Sequence, residues 1–131
     1  MTARTFVLVP AAGGGARFGG ALPKQYALLA GVPVLARTLE RLATALAPAA
    51  TFVAVAADDL HFERMVGRPP DAVALRCGGA TRAVTVRNAL ATIADRCADD
   101  DWIVVHDAAR PCVPHDALAR LTEHLRDEPV G

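Results

Sequence analysis

Thr5-Phe-Val-Leu-Val9 is followed by Pro10-Ala-Ala-Gly-Gly-Gly-Ala-Arg-Phe-Gly-Gly-Ala-Leu-Pro-Lys24, and then by Val34 to Leu46 with apolar residues at positions 35, 39, 42 and 46. The first run is short, apolar and β-branched, which predicts a strand buried on both faces. The third has helical spacing, with Pro33 suited to its first turn. A buried strand, a long glycine-rich connection and an amphipathic helix make the opening of an α/β unit.

The same alternation continues to the end of the chain. Thr51-Phe-Val-Ala-Val-Ala56 predicts a second buried strand. Asp58 or Asp59 is placed to cap a helix running to about Val66, with Gly67 and Pro69-Pro70 ending it. Val73-Ala-Leu-Arg76 predicts a third strand, and a helix from about Thr81 to Ala94 follows a Gly78-Gly79 turn. Asp99-Asp100-Asp101 reads as a polar turn, Trp102-Ile-Val-Val-His106 as a fourth strand, and His115 to Leu125 as a last helix. Four strands each followed by a helix predict a three-layer α/β fold with a mainly parallel sheet and helices on both faces.

Composition narrows the function. A chain of 131 residues suits one domain, and 53% hydrophobic residues allow a sizeable core. Formal net charge is zero, which argues against a polybasic nucleic-acid surface but leaves room for a phosphorylated small ligand. No apolar stretch reaches the roughly 18–20 residues of a membrane span, and Met1 to Arg4 lack a signal-peptide layout. The three cysteines, Cys77, Cys97 and Cys112, are widely spaced with no CxxC, so buried thiols in a cytoplasmic protein are expected, not a disulfide framework or zinc site. The basic residues are thirteen arginines and one lysine, and that lysine, Lys24, lies in the glycine-rich segment.

Ligands of open parallel sheets bind outside the carboxyl ends of the strands. Three segments with unusual chemistry each follow a predicted strand: Pro10 to Lys24, Cys77 to Arg82, and Asp107 to Pro111. All three are therefore expected at one edge of the sheet. In the first, consecutive glycines let backbone N–H groups approach an anion, and Arg17 and Lys24 add positive charge. It is not a Walker A loop, because Gly20-Ala21 stands where Lys-Ser/Thr is needed. It is not a dinucleotide fingerprint, because Phe18 holds the third glycine position and no acidic residue ends the second strand. The Gly78-Gly79 pair either offers free N–H donors before a helix or forms an ordinary tight turn. Asp107 is either a magnesium carboxylate or the partner of Arg110 in a loop-stiffening salt bridge. His106 reads as packed at a strand end.

Pro10-Ala-Ala-Gly-Gly-Gly-Ala-Arg17, Pro23-Lys-Gln-Tyr26, Gly31-Val-Pro-Val-Leu35, Gly78-Gly-Ala-Thr-Arg82 and Val105-His-Asp-Ala-Ala-Arg-Pro111 together resemble the 2-C-methyl-D-erythritol 4-phosphate cytidylyltransferase family of the non-mevalonate isoprenoid pathway. The resemblance implies a Rossmann-like nucleotidyltransferase domain that joins CTP to 2-C-methyl-D-erythritol 4-phosphate and releases pyrophosphate, with Mg²⁺ or another divalent cation. It implies a catalytic pair, Arg17 and Lys24. It implies nucleotide contacts from Pro10, Ala11, Ala12, Gly13, Gly14, Gly15, Lys24, Gly78, Gly79, Arg82, Thr85, Asp107 and Ala108. Asp107 would also hold the metal, and Asp107 and Arg110 the acceptor substrate. Thr85 stands where the family usually has Ser, keeping the hydroxyl. Arg37 stands where His is common, and surface variation is expected there. The family is homodimeric through an arm, and it carries further strands and a C-terminal segment with more metal and substrate residues. None of these has a counterpart here, so the chain is expected to be a truncated nucleotide-binding domain. Other readings are another sugar-phosphate nucleotidyltransferase and a nucleotide-binding fragment without turnover.

Overall fold

A computed structural model of the chain describes residues 3–13, 23–67 and 72–127. Its main sheet has four parallel strands, β1 (Thr5–Ala11), β4 (Ala50–Val55), β5 (Ala72–Leu75) and β6 (Trp102–Val105), in the order β5-β4-β1-β6. A small hairpin of β2 (Leu28–Leu29) and β3 (Val32–Pro33) lies beside it. The helices are α1 (Val34–Leu46), α2 (Arg82–Ile93) and α3 (His115–Asp127).

β1 is buried because it is central, and its alternate residues feed two cores. Val7, Val9 and Ala11 face α1 and α3, packing with Leu35, Leu39, Leu42 and Leu118. Phe6 and Leu8 face α2, packing with Phe52, Ala89 and Ile93. This period of two is what a pleated strand imposes. Each fully buried Val or Leu is worth about 1.5–3 kcal/mol, so both layers are anchored by one strand. The three-layer, parallel arrangement matches the expectation from the alternation of elements.

The chain leaves β1 toward β4 and returns through α2 to β6 on the other side, so the strand order reverses at β1. Pairing with β4 continues to Ala11, opposite Val55, whereas pairing with β6 ends at Leu8, opposite Val105. A notch therefore opens at the carboxyl end between β1 and the segment after β6. β1 also runs past the expected limit at Val9. Leu8 accepts a hydrogen bond from the His106 N–H at 3.0 Å, so the even-numbered backbone groups of β1 point toward β6. Pro10 presents its missing N–H to the side where β6 has already ended, and no ladder bond is lost.

Three further differences have clear causes. The helix expected from Asp58 or Asp59 is only a π-helical turn, Phe62–Val66, stopped by Gly67 at φ 80°. Asp59 still caps it, accepting the N–H groups of His61 and Phe62 at 2.8 and 2.9 Å. Arg37 is not idle surface: its guanidinium donates to the carbonyls of Leu29 and Ala30, tying the hairpin to α1. The polar turn before β6 is a structural clasp. Asp101 accepts the N–H groups of Ala98 and Arg4 and the Arg4 guanidinium, joining the starts of β6 and β1. Those hydrogen bonds, Ala98 and the Arg4 backbone foremost, hold the Asp101 carboxyl below its usual range.

α1 ends on Ala47, a left-handed residue at φ 42° whose N–H reaches the Ala43 carbonyl at 3.0 Å. A Cβ in this region costs about 1–2 kcal/mol, and glycine is the usual occupant. Ala47→Gly is expected to raise stability by about 1 kcal/mol, read as an increase of a few degrees in Tm.

Candidate active site

The notch at the end of β1 is a cleft of about 710 Å³, lined from three segments. The end of β1 supplies Pro10 to Gly13, the entry to α2 supplies Gly79 to Arg82 and Thr85, and the turn after β6 supplies Asp107 to Arg110. Lys24 and Gln25 close the fourth side. The three loops converge as the order of elements predicts. Arg17, Gly14 and Gly15 lie outside the described residues.

Lys24 opens a 3₁₀ turn, Lys24–Tyr26, held by hydrogen bonds from Tyr26 N–H to Pro23 and from Ala27 N–H to Lys24. Its two following side chains are buried and point to different anchors. The Gln25 amide donates to the carbonyls of Ala11 at 2.9 Å and Gly13 at 3.2 Å. The Tyr26 hydroxyl donates to Asp59 at 2.8 Å, and its ring packs against His61. Neither Gln25 nor Tyr26 has a role in the sequence reading. A polar residue next to the single lysine was the available signal for Gln25, but only the folded turn shows what its amide meets.

The two glycines are needed for space. A Cβ at Gly78 would lie 2.4 Å from the Ala12 Cβ and 2.9 Å from the Val55 carbonyl oxygen; one at Gly79 would lie 2.3 Å from Val84 Cγ1. Their N–H groups are both used inside the fold. Gly78 donates to the Val55 carbonyl at 2.9 Å and Gly79 to the Thr85 hydroxyl at 3.0 Å. The expectation of free donors at this pair is corrected: the glycines pack the loop against the end of β1, β4 and α2, and neither sits in a tight turn. Gly79 and Thr85 line the cleft, while Gly78 sits outside its lining. Thr81 caps α2 by accepting the Val84 N–H, and Asn88 holds the Cys77 carbonyl, so the loop is fixed on both sides.

Asp107 takes one guanidinium on each oxygen, Arg82 at 2.8 Å and Arg110 at 2.7 Å. The Arg110 salt bridge is thus present, with Arg82 added from α2. Partial burial pushes the Asp107 carboxyl up, but the hydrogen bonds from Arg110 and Arg82 outweigh it and hold the carboxyl below its usual range. Ala108 is buried against the α1–α3 core and fixes the turn below Asp107. His106 packs at the strand end with Nδ1 at 2.9 Å from the Asp107 carbonyl.

Among the described lining side chains, Lys24, Arg82 and Arg110 stand against one carboxylate. That excess suits a polyanion entering through the open side. A second cleft of about 730 Å³ shares Arg82, Asp107, Ala109 and Arg110, so the ion-paired triad is the wall between two spaces. No group of three or more His, Cys, Asp or Glu side chains is placed to hold a metal among the described residues. One carboxylate remains, and Mg²⁺ accepts one or two carboxylates with phosphate oxygens and water. A carboxylate has about four lone-pair sites and the arginines use two, so Asp107 fits that role.

The Tyr26 hydroxyl makes a direct prediction. Burial first, then the hydrogen bond to Asp59 and the charges of Asp59 and Glu63, push it well above its ordinary value near 10. The chain has one tyrosine. Absorbance at the tyrosinate band should stay flat in the native protein through about pH 10, where the denatured chain titrates. A group raised on folding contributes stability fully below its unfolded pKa, so Tm should fall as pH rises beyond about 10.

The described helices include none long and apolar enough to cross a membrane. The family model described as IspD, 2-C-methyl-D-erythritol 4-phosphate cytidylyltransferase, matches residues 5–131. A protein of Laribacter hongkongensis (strain HLHK9) with that description is 52% identical over 130 residues, covering 98% of this chain and 55% of that protein. A crystal structure of 4-diphosphocytidyl-2C-methyl-D-erythritol synthase superposes with a TM-score of 0.81 at 36% identity, over 94% of this chain and 55% of the other. The Francisella tularensis 2-C-methyl-D-erythritol 4-phosphate cytidylyltransferase (IspD) structure gives 0.73 at 35% identity, over 96% and 54%. The chain spans about half the length of the curated relatives it matches. With that family-model match over residues 5–131 and the same overall fold, the chain belongs to the IspD, or 2-C-methyl-D-erythritol 4-phosphate cytidylyltransferase, family.

Proposed function

We propose that the cleft holds CTP with Mg²⁺, and that the chain supplies the nucleotide half of a transfer of a cytidylyl group to 2-C-methyl-D-erythritol 4-phosphate. The observation that carries this is the meeting of Lys24, Thr85, Arg82, Asp107 and Arg110 around one opening at the reversal of strand order. The acceptor's phosphate oxygen attacks the α-phosphorus of CTP. The new bond is phosphorus to oxygen, and the bond to the β-phosphate breaks, releasing pyrophosphate in line. Lys24, with Arg17 from the same glycine-rich segment, neutralises charge that builds on the α-phosphate and the leaving group. Ala11 to Gly13 cradle the triphosphate, and Gly79 and Thr85 border the nucleoside. Arg110, on the wall shared by both clefts, faces the acceptor phosphate. Asp107 would hold Mg²⁺, which when bound would supply further charge neutralisation at the phosphates.

No nucleic acid is a partner in this reading, since the formal net charge is zero. The three cysteines are unpaired thiols, which suits a cytoplasmic setting, but they are not buried as expected: Cys77 and Cys97 are half-buried and Cys112 is exposed.

Thermal melts with each of four nucleoside triphosphates and Mg²⁺, followed by pyrophosphate release with the acceptor, test the proposal. CTP should raise Tm most. Product formation separates a catalytic chain from one that only binds. Lys24→Met is expected to lower turnover roughly 10²–10³-fold, about 2.7–4 kcal/mol of transition-state stabilisation, and to weaken CTP protection. Unchanged protection and turnover in that variant would remove the proposal. Asp107→Asn should abolish the Mg²⁺ dependence of CTP protection. Because folding lowers the Asp107 pKa, its contribution is present above the ordinary carboxylate value and lost only as pH falls below it. CTP protection should therefore stay level from pH 8 to about 5.

A further inference from the structure

We propose that Gln25 is a positioning residue for Lys24, holding the Lys24 turn closed on the end of β1; the proposal rests on the reading that Lys24 serves the nucleotide. The Gln25 side chain is 6% exposed, and its amide nitrogen bridges two carbonyls, Ala11 and Gly13, which are 14 and 12 residues away in sequence. Those carbonyls belong to the backbone that borders the cleft, and Lys24 is the residue next to Gln25. One buried amide therefore couples the position of the cation to the position of the cradle.

The geometry of the turn supports this. A three-residue 3₁₀ turn has little stability of its own, and its internal bonds are only those from Tyr26 to Pro23 and from Ala27 to Lys24. Its place is set by what its side chains reach. Tyr26 fixes the side facing Asp59, which is itself held by capping the turn at Phe62. Gln25 ties the side facing the cleft to the end of β1. Without its amide the Ala11 and Gly13 carbonyls lose a donor, and the Lys24 turn loses a tie to the end of β1. A cation ordered before ligand arrives binds more tightly than one that must be ordered by it.

Lys24 is the chain's single lysine, so a lysine-specific protease has one site, the Lys24–Gln25 bond. Native-state cleavage at that bond measures opening of this turn without any ligand. Rates are normalised to the same variants in urea, because Gln25 flanks the cut. Gln25→Leu should be cut at least about tenfold faster than the unmodified chain. Ile93→Val, in the opposite core, should leave the rate within about twofold. Tyr26→Phe should also speed cleavage, since the second anchor is lost. The Kd for Mg·CTP should rise about tenfold in Gln25→Leu and stay unchanged in Ile93→Val. Cleavage no faster in Gln25→Leu than in Ile93→Val overturns the proposal, as does faster cleavage with an unchanged Kd. Failure of the unmodified chain to bind Mg·CTP counts against the nucleotide reading instead, and the cleavage rates still decide whether Gln25 holds the turn.

Discussion

Everything at the cleft depends on β1 being paired on two sides along its first half and on one side along its second. From Thr5 to Leu8 the strand is flanked by β4 and β6; from Val9 to Ala11 only β4 remains. Backbone groups of the exposed half must find partners other than a ladder, or face a ligand. Pro10 removes one such donor. The fold thus leaves an open edge inside the sheet on the β6 side, and side chains from elsewhere in sequence dress its rim: past the last β4 pair, Gln25 reaches the carbonyls of Ala11 and Gly13.

The dressing shows a division of labour. Hydrogen bonds of the loops are mostly consumed internally: Gly78 and Gly79 N–H, Thr81, Asn88 and the Asp107 oxygens all have protein partners. They make the rim stiff. The cations lining the cleft, Lys24, Arg82 and Arg110, sit on long side chains, and the two arginines are themselves held by Asp107. Positive charge acts on phosphates without the tight geometry a backbone nest needs, and rigid loops beneath it keep the charges from scattering. Arg110 and Arg82 also hold the Asp107 carboxyl below its usual range.

The two sides of the sheet have different tasks. The α1–α3 side includes Tyr26, Phe62 and Ala108, all from segments that reach the cleft or its supports. The α2 side is a plainer core of Phe6, Leu8, Phe52, Ala89 and Ile93. Packing beneath the first therefore sets the position of the site, while packing beneath the second mainly holds α2 so that Arg82 meets Asp107.

The sequence by itself determined the alternation of strand and helix, the bounds of α1 and the convergence of three loops on one sheet edge. These are local matters: hydrophobic period sets the element, and a parallel sheet forces all strand ends to one side. Motifs such as Pro23-Lys-Gln-Tyr26 also made the family legible. The tertiary structure alone decided the strand order, the early end of β6 pairing that opens the notch, and the roles of Gln25, Tyr26 and Arg37. It also decided that Gly78 is required by the Ala12 Cβ and that Arg82 joins Arg110 on Asp107. Most of these are contacts between residues far apart in the chain, and the Arg37 contacts, eight and seven residues away, still need the hairpin folded against α1. No period or local preference encodes such a contact, because its energy exists only after the sheet has brought the partners together.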